Sequence, residues 1–317
     1  MKRCKILEIE IQNLKLSENL VVFEEQKQIP ERESRKILSN DEPLIFVGGI
    51  PRSGTTLMRA ILDAHPNVRC GGETMMIPNF LSWQASWRKS DWANNTGITR
   101  KVMDDAVSAF MMEIIAKHGE MADRLCNKDP YTALWLPTLQ RLYPNSKFIL
   151  MIRDARAIIH SMIERKVPVV GYNISDEKQM FRNWNTEIRK MTTQCMMAGG
   201  NCLKVYYERL IQRPKDEIER ICQFLDIEFD ERMLKHEEFI GVEVALSSQE
   251  FSASQVKNSI NNEPLTSWFD CFDMELLSKL DRLAPFLKLL GYDTESDKPS
   301  YDYFASDDFF EFRSVYS

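Results

Sequence analysis

The 317-residue chain is predicted to be an α/β protein, a central parallel sheet flanked by helices. Three observations carry that expectation. Two continuous apolar runs, Leu44–Val47 and Phe148–Ile152, read as strands buried on both faces, which requires helices on either side of the sheet. Each is followed at once by a segment with apolar residues at helical spacing, and strands go on alternating with helices further along.

Composition excludes several other classes. With 44% hydrophobic and 28% charged residues, the chain is neither disordered nor low in complexity. Forty-one basic against 47 acidic residues leave a formal charge of −6, so no global field draws the protein to nucleic acid. Any anion must bind at a local basic site. No window reaches the roughly 18 apolar residues of a membrane-spanning helix, and Lys5, Glu8, Glu10 and Lys15 interrupt any signal-peptide core. Read by itself, the chain is expected to be soluble and unexported. Seven cysteines and four histidines include no C-x-x-C pair, so no metal site is expected.

In chain order, residues 1–42 are charged and lack a sustained period, which predicts a peripheral, poorly ordered arm. Leu44–Val47 is the first buried strand, and Thr56–His65 the helix after its glycine loop, stopping before Pro66. Leu125–Asp129 is a short strand; a helix then opens near Pro130 with Trp135, Leu139 and Leu142 on one face. Lys147–Ile152 is the second strong strand and Arg153–Arg165 its helix. A long helix over about 176–197, a strand at Leu203–Tyr206 and a helix begun by Pro214 complete the alternation. The segment 293–317 is acidic and is expected to be a solvated tail, with Tyr301 and Tyr303 set among carboxylates as alternative sites of self-modification.

The loop Gly49-Ile-Pro-Arg-Ser-Gly-Thr-Thr56 has the GxxxxG spacing of a phosphate-binding loop, with Thr55 where nucleotide triphosphatases carry lysine. Such a loop aims backbone N–H groups and a helix N-terminus at one anion, so anion recognition survives the loss of lysine. Arg52, Thr55 and Thr56 add further donors. Magnesium-dependent ATP hydrolysis is not expected, since the loop lysine is missing and Asp129 and Asp154 each follow a basic residue. The bland alternative, a turn with two useful glycines, is weakened by the loop's place between a buried strand and an amphipathic helix.

Four ordered motifs, FVGGIPRSGTTLMRAILDAHPNVRCGGET, CNKDP, YPNSKFILMIRDARAIIHSMIERK and VYYERL, resemble the tyrosylprotein sulfotransferases over about residues 43–292. The resemblance implies a P-loop-like sulfotransferase domain with 3′-phosphoadenylyl sulfate (PAPS) as donor and no metal. It implies that Arg52, Ser53, Gly54, Thr55 and Thr56 hold the donor's 5′-phosphosulfate. Arg153 and Ser161 would read the 3′-phosphate, with Arg165 as a further donor contact and Tyr207 on the adenine side. Arg153 and Ser161 are two helical turns apart, about 11–12 Å, so they meet one phosphate only if Arg153 bends back over the helix. Glu73 of CGGET is implied as general base, with Arg52, Lys128 and Ser252 stabilising charge in an in-line displacement. Cys70 with Cys126, and Cys195 with Cys202, stand at the places of family disulfides, which suit an oxidising lumen. Cys222, on an apolar helical face, reads as a buried thiol.

The resemblance further implies tyrosine-containing protein substrates, compatibility with a homodimer, and residence in the Golgi. Residues 1–42 are not expected to serve as the family's membrane anchor, and a cytoplasmic location is the alternative. The chain departs from the family where relatives read acidic sequence with basic residues: these positions are Met75, Asn79 and Ser267. Arg88, Lys89, Arg100 and Lys101 are candidate substitutes. A weakened or redirected preference for acidic peptides is therefore expected. A sulfotransferase of small phenols or carbohydrates, and a catalytically impaired donor-binding relative, stay open at this level.

Overall fold

The computed structural model describes residues 38–118, 120–246 and 250–309. Most of the expected N-terminal arm, Cys4 included, lies outside them. Five strands, β1 (Ile45–Gly49), β2 (Val68–Arg69), β3 (Arg124–Lys128), β4 (Lys147–Ile152) and β5 (Cys202–Tyr206), form a parallel sheet in the order β2-β3-β1-β4-β5. Because β1 lies between β3 and β4, strand order reverses beside it. That reversal opens a crevice at the carboxyl end of β1, where ligands of open α/β sheets bind.

Both faces of the sheet are apolar, and this is why its strands read as unbroken apolar runs. Ile45, Val47, Ile149, Met151 and Val205 pack with α1 (Thr55–Asp63) and with Ile218, Ile221 and Leu225 of α8 (Pro214–Leu225). Phe46, Phe148, Leu150 and Ile152 point the other way. They meet Ile158 and Met162 of α5 (Ala155–Glu164) and Phe181, Trp184 and Ile188 of α6 (Glu177–Met197). Between these helices come α2 (Met76–Trp87), α3 (Arg100–Lys117), α4 (Leu136–Leu142) and α7 (Tyr207–Gln212).

Three local expectations are corrected. The helix expected from Pro130 is a 3-10 turn, Pro130–Leu134, followed by α4, with Trp135 non-helical at φ −127° between them. Pro137 lacks an N–H and belongs in a first turn, so it starts a new helix instead of continuing one. The helix expected at Arg153 begins at Ala155, because the Asp154 carboxylate caps it by accepting from the Arg156 N–H at 2.8 Å. Arg153 is thereby left in the loop.

The third correction concerns the solvated tail. Arg156, fully buried, pairs with Asp154 at 2.7 Å and donates to the carbonyls of Asp293 and Ser296. Its guanidinium lies 4.5 Å from the Trp268 ring. The Tyr301 hydroxyl donates to Asp154 at 2.9 Å and accepts from the Trp268 indole at 3.0 Å. Phe304 and Phe309 pack on Tyr206. Residues 293–309 are thus docked: Tyr301, Phe304 and Phe309 are buried, and Asp293, Glu295, Asp297, Asp302 and Asp307 are exposed. Tyr301 is no surface acceptor, whereas Tyr303 is 40% exposed.

Cys70 is bonded to Cys126 and Cys195 to Cys202. The first bond extends the β2–β3 register, in which Arg69 already faces Leu125, by one step. Cys222 is buried as expected.

Candidate active site

The loop after β1 turns on Gly54, whose φ of 99° favours glycine. A Cβ there would lie 2.6 Å from the Tyr207 ring, so the ring seats directly on the loop. Ser53, Thr55 and Thr56 are buried, and the Ser53 hydroxyl has no hydrogen-bond partner among the described residues. The first N–H groups of α1 have no acceptor within their own helix.

Arg52 sits over this loop. Its Nε donates to the Ser161 hydroxyl at 3.0 Å, Nη1 to Ser252 and Nη2 to Gln255. Arg153 donates to the Arg52 carbonyl at 3.0 Å and to the Pro264 carbonyl at 2.9 Å, and stacks 4.2 Å from the Tyr207 ring. Arg153 precedes the cap of α5 and reaches the Arg52 backbone, while Ser161 of α5 meets the Arg52 side chain, so Arg52 lies between the two. Arg52, Arg153, Ser161 and Tyr207 therefore converge. Burial, and then the charges of Arg153 and Arg165, push the Arg52 guanidinium down to about 10. Neither Arg52 nor Arg153 pairs with a carboxylate among the described residues, so within them this positive charge has no ion-pair partner. Arg165 is exposed at the end of α5 and contributes charge at a distance.

A second group faces the first. Lys128, fully buried at the end of β3, pairs with Glu73 and, at 2.9 Å, with Glu250. The other Glu250 oxygen pairs with buried Arg59 of α1 at 2.9 Å, and Arg59 with Asp63 at 3.2 Å. Asp63 accepts from the Cys70 N–H at 2.6 Å, and burial pushes it up to about 6. The segment carrying Glu73 is held again by Asp129, which accepts from the N–H groups of Thr74 and Met75 at 2.9 and 2.8 Å. Burial raises the Asp129 carboxyl above its ordinary value.

One cleft collects Arg52, Thr55, Thr56, Glu73, Glu250 and Ser252, with Met75 on its wall. Lys128 lies beneath it. Asn79 and Ser267 do not line it, nor do the proposed substitute cations. Arg100 and Lys101 are paired with Asp104 and Asp105 on α3, and Arg88 and Lys89 are exposed past the end of α2. Sequence reasoning missed Glu250, Gln255, Arg59 and the holding role of Asp129. Only Asp129 carried a local signal, its place directly after Lys128.

Residues 43–231 match the sulfotransferase family. A putative protein-tyrosine sulfotransferase of Caenorhabditis briggsae is 72% identical over 281 residues, 89% of this chain and 100% of that protein. Protein-tyrosine sulfotransferase A of Caenorhabditis elegans is 46% identical across 82% of this chain and 70% of its own. The chain belongs to the protein-tyrosine sulfotransferases. Protein-tyrosine sulfotransferase 1 of Danio rerio, at 45% identity over 84% of this chain and 76% of its own, is a further relative of this sulfotransferase. Its fold is shared with the sulfotransferase domain of the Synechococcus PCC 7002 olefin synthase: TM-score 0.56, 18% identity, 83% of this chain and 99% of that one. Mouse sulfotransferase SULT7A1, solved in complex with PAP, aligns with a TM-score of 0.50 and 14% identity over 82% of this chain and 88% of its own.

Proposed function

We propose that this sulfotransferase moves the sulfuryl group of PAPS to the phenolic oxygen of tyrosine in polypeptides, with Glu73 as general base. The observation that carries this is the shared cleft. The carboxylate of Glu73 and the guanidinium of Arg52, which has no carboxylate partner among the described residues, open onto one space, at the end of a glycine loop that a helix N-terminus completes. The donor set fits an anion with two phosphate groups. The unpartnered Ser53 hydroxyl, the Thr55 and Thr56 hydroxyls and the free N–H groups of α1 serve one end; Arg153 and Ser161 serve the other, with the Tyr207 ring as a flat apolar surface beside them. Relatives named protein-tyrosine sulfotransferases and a fold neighbour holding PAP support the same donor.

A phenol has a pKa near 10, so an adjacent carboxylate that takes its proton as the oxygen attacks sulfur is worth about 10²–10⁴ in rate. Glu73 receives that proton. Arg52, Lys128 and Ser252 stabilise charge on the sulfuryl oxygens and the departing phosphate, in a site where burial strengthens each interaction. Lys128 has a second anion in Glu250, so it keeps its place when Glu73 turns to a phenol. Two disulfides support an oxidising compartment, and with the family's name they favour the Golgi lumen. Among the described residues no helix is long and apolar enough to cross a membrane.

Transfer of labelled sulfate from PAPS to tyrosine peptides tests the reading. Glu73→Ala is expected to lower kcat by about 10²–10⁴ while PAP affinity is retained. PAP binding by the native protein without transfer to any tyrosine peptide would overturn it.

A further inference from the structure

The cleft has two kinds of wall. Its floor carries Arg52, Glu73, Glu250 and Ser252; its rim is apolar, with Met75 from the bend before α2, Pro130 after β3, Val169 and Val170 after α5, and Phe251 beside Ser252. Val170 is 86% exposed and Phe251 55%, so this rim offers apolar surface to whatever enters. Arg52 is the single cation among the described lining residues, and its guanidinium is already bonded to Ser161, Ser252 and Gln255. Arg165 and Lys166, which lead into the Val169–Val170 loop, do not line the cleft.

A tyrosine that reaches Glu73 brings its neighbours with it. An extended chain advances about 3.3–3.6 Å per residue, so the one or two residues on each side of the tyrosine must cross this rim. An aliphatic or aromatic neighbour would cover exposed apolar surface there, which is favourable. An acidic neighbour would meet Arg52 as the single cation of the described lining, already bonded to Ser161, Ser252 and Gln255, and would gain no new ion pair from that lining.

We propose that the rim formed by Met75, Pro130, Val169, Val170 and Phe251 is a specificity-determining subsite for apolar residues flanking the acceptor tyrosine. It rests on the sulfuryl-transfer reading above and names the class of substrate: polypeptides in which tyrosine sits among aliphatic or aromatic side chains, not among acids. The departure at Met75 is then one part of a rebuilt surface drawn from four separate segments.

The test is a peptide panel with a central tyrosine and Leu, Val or Phe, Ser, or Asp or Glu at the two positions on each side, with labelled sulfate supplied from PAPS. For the native protein, kcat/KM is expected to be about tenfold or more higher for the apolar set than for the acidic set. Val170→Arg and Phe251→Arg, in separate loops, are each expected to narrow or reverse that ratio. Equal rates or an acidic preference in the native protein would overturn the subsite and leave sulfuryl transfer standing. A ratio unchanged in both arginine variants would do the same. PAP binding with no peptide sulfated would overturn the subsite together with the reaction.

Discussion

Glu73 and Lys128 are 55 residues apart in the chain, and Glu250 is 122 beyond Lys128, yet the three side chains form one buried series of charges. Breaking a buried ion pair leaves an uncompensated charge, so such a series holds its members in place. Glu250→Gln keeps the shape and removes the charge that Lys128 and Arg59 share. We expect about a tenfold loss in kcat with KM for PAPS little changed, measured by initial rates; a purely structural Glu250 would lower Tm and spare kcat. Gly54→Ala should act on the donor instead. Its Cβ would meet the Tyr207 ring at 2.6 Å and its φ of 99° is unfavourable for alanine, so PAP affinity measured by calorimetry should fall by tenfold or more.

At the level of elements, the end of β4 is where the donor side and the docked carboxyl-terminal segment meet. Asp154 caps α5, pairs with Arg156 and accepts from Tyr301, while Glu208 of α7 accepts from the Asp154 N–H at 2.9 Å and from Tyr292 at 2.8 Å. Burial pushes Glu208 up to about 7, above its ordinary 4.5. Its folded value is raised, so its contribution is full below about pH 4.5 and falls as pH rises toward 7, by up to about 1.4 kcal/mol per unit. Glu208→Gln should flatten stability between those limits, as urea unfolding at several pH values would show. This junction was only half legible. The glycine loop and the two strong strands are written in local spacing. Strand β2 is too short at two residues to show a period. Glu250 and Gln255 matter through partners more than a hundred residues away, which no window spans. Acids around Tyr301 and Phe304 gave the last segment the texture of a solvated tail, although burial at those two positions decides its place.

At the scale of the molecule, two disulfides differ in what they restrain. Cys70–Cys126 closes a separation of 56 residues and Cys195–Cys202 one of 7. Loop-closure entropy predicts about 4 kcal/mol for the first and about 2.5 for the second. Serine replacement of the first pair should therefore lower the urea midpoint more than replacement of the second.

Cys70 stands three residues before Glu73, the proposed base, and Cys126 two before Lys128, the buried ammonium paired with it. In a newly synthesised, still reduced molecule only the intervening backbone and noncovalent contacts bring these two partners together. Oxidation adds the one covalent cross-link between these two segments, and reduction of Cys70–Cys126 is expected to lower sulfuryl transfer more than reduction of Cys195–Cys202.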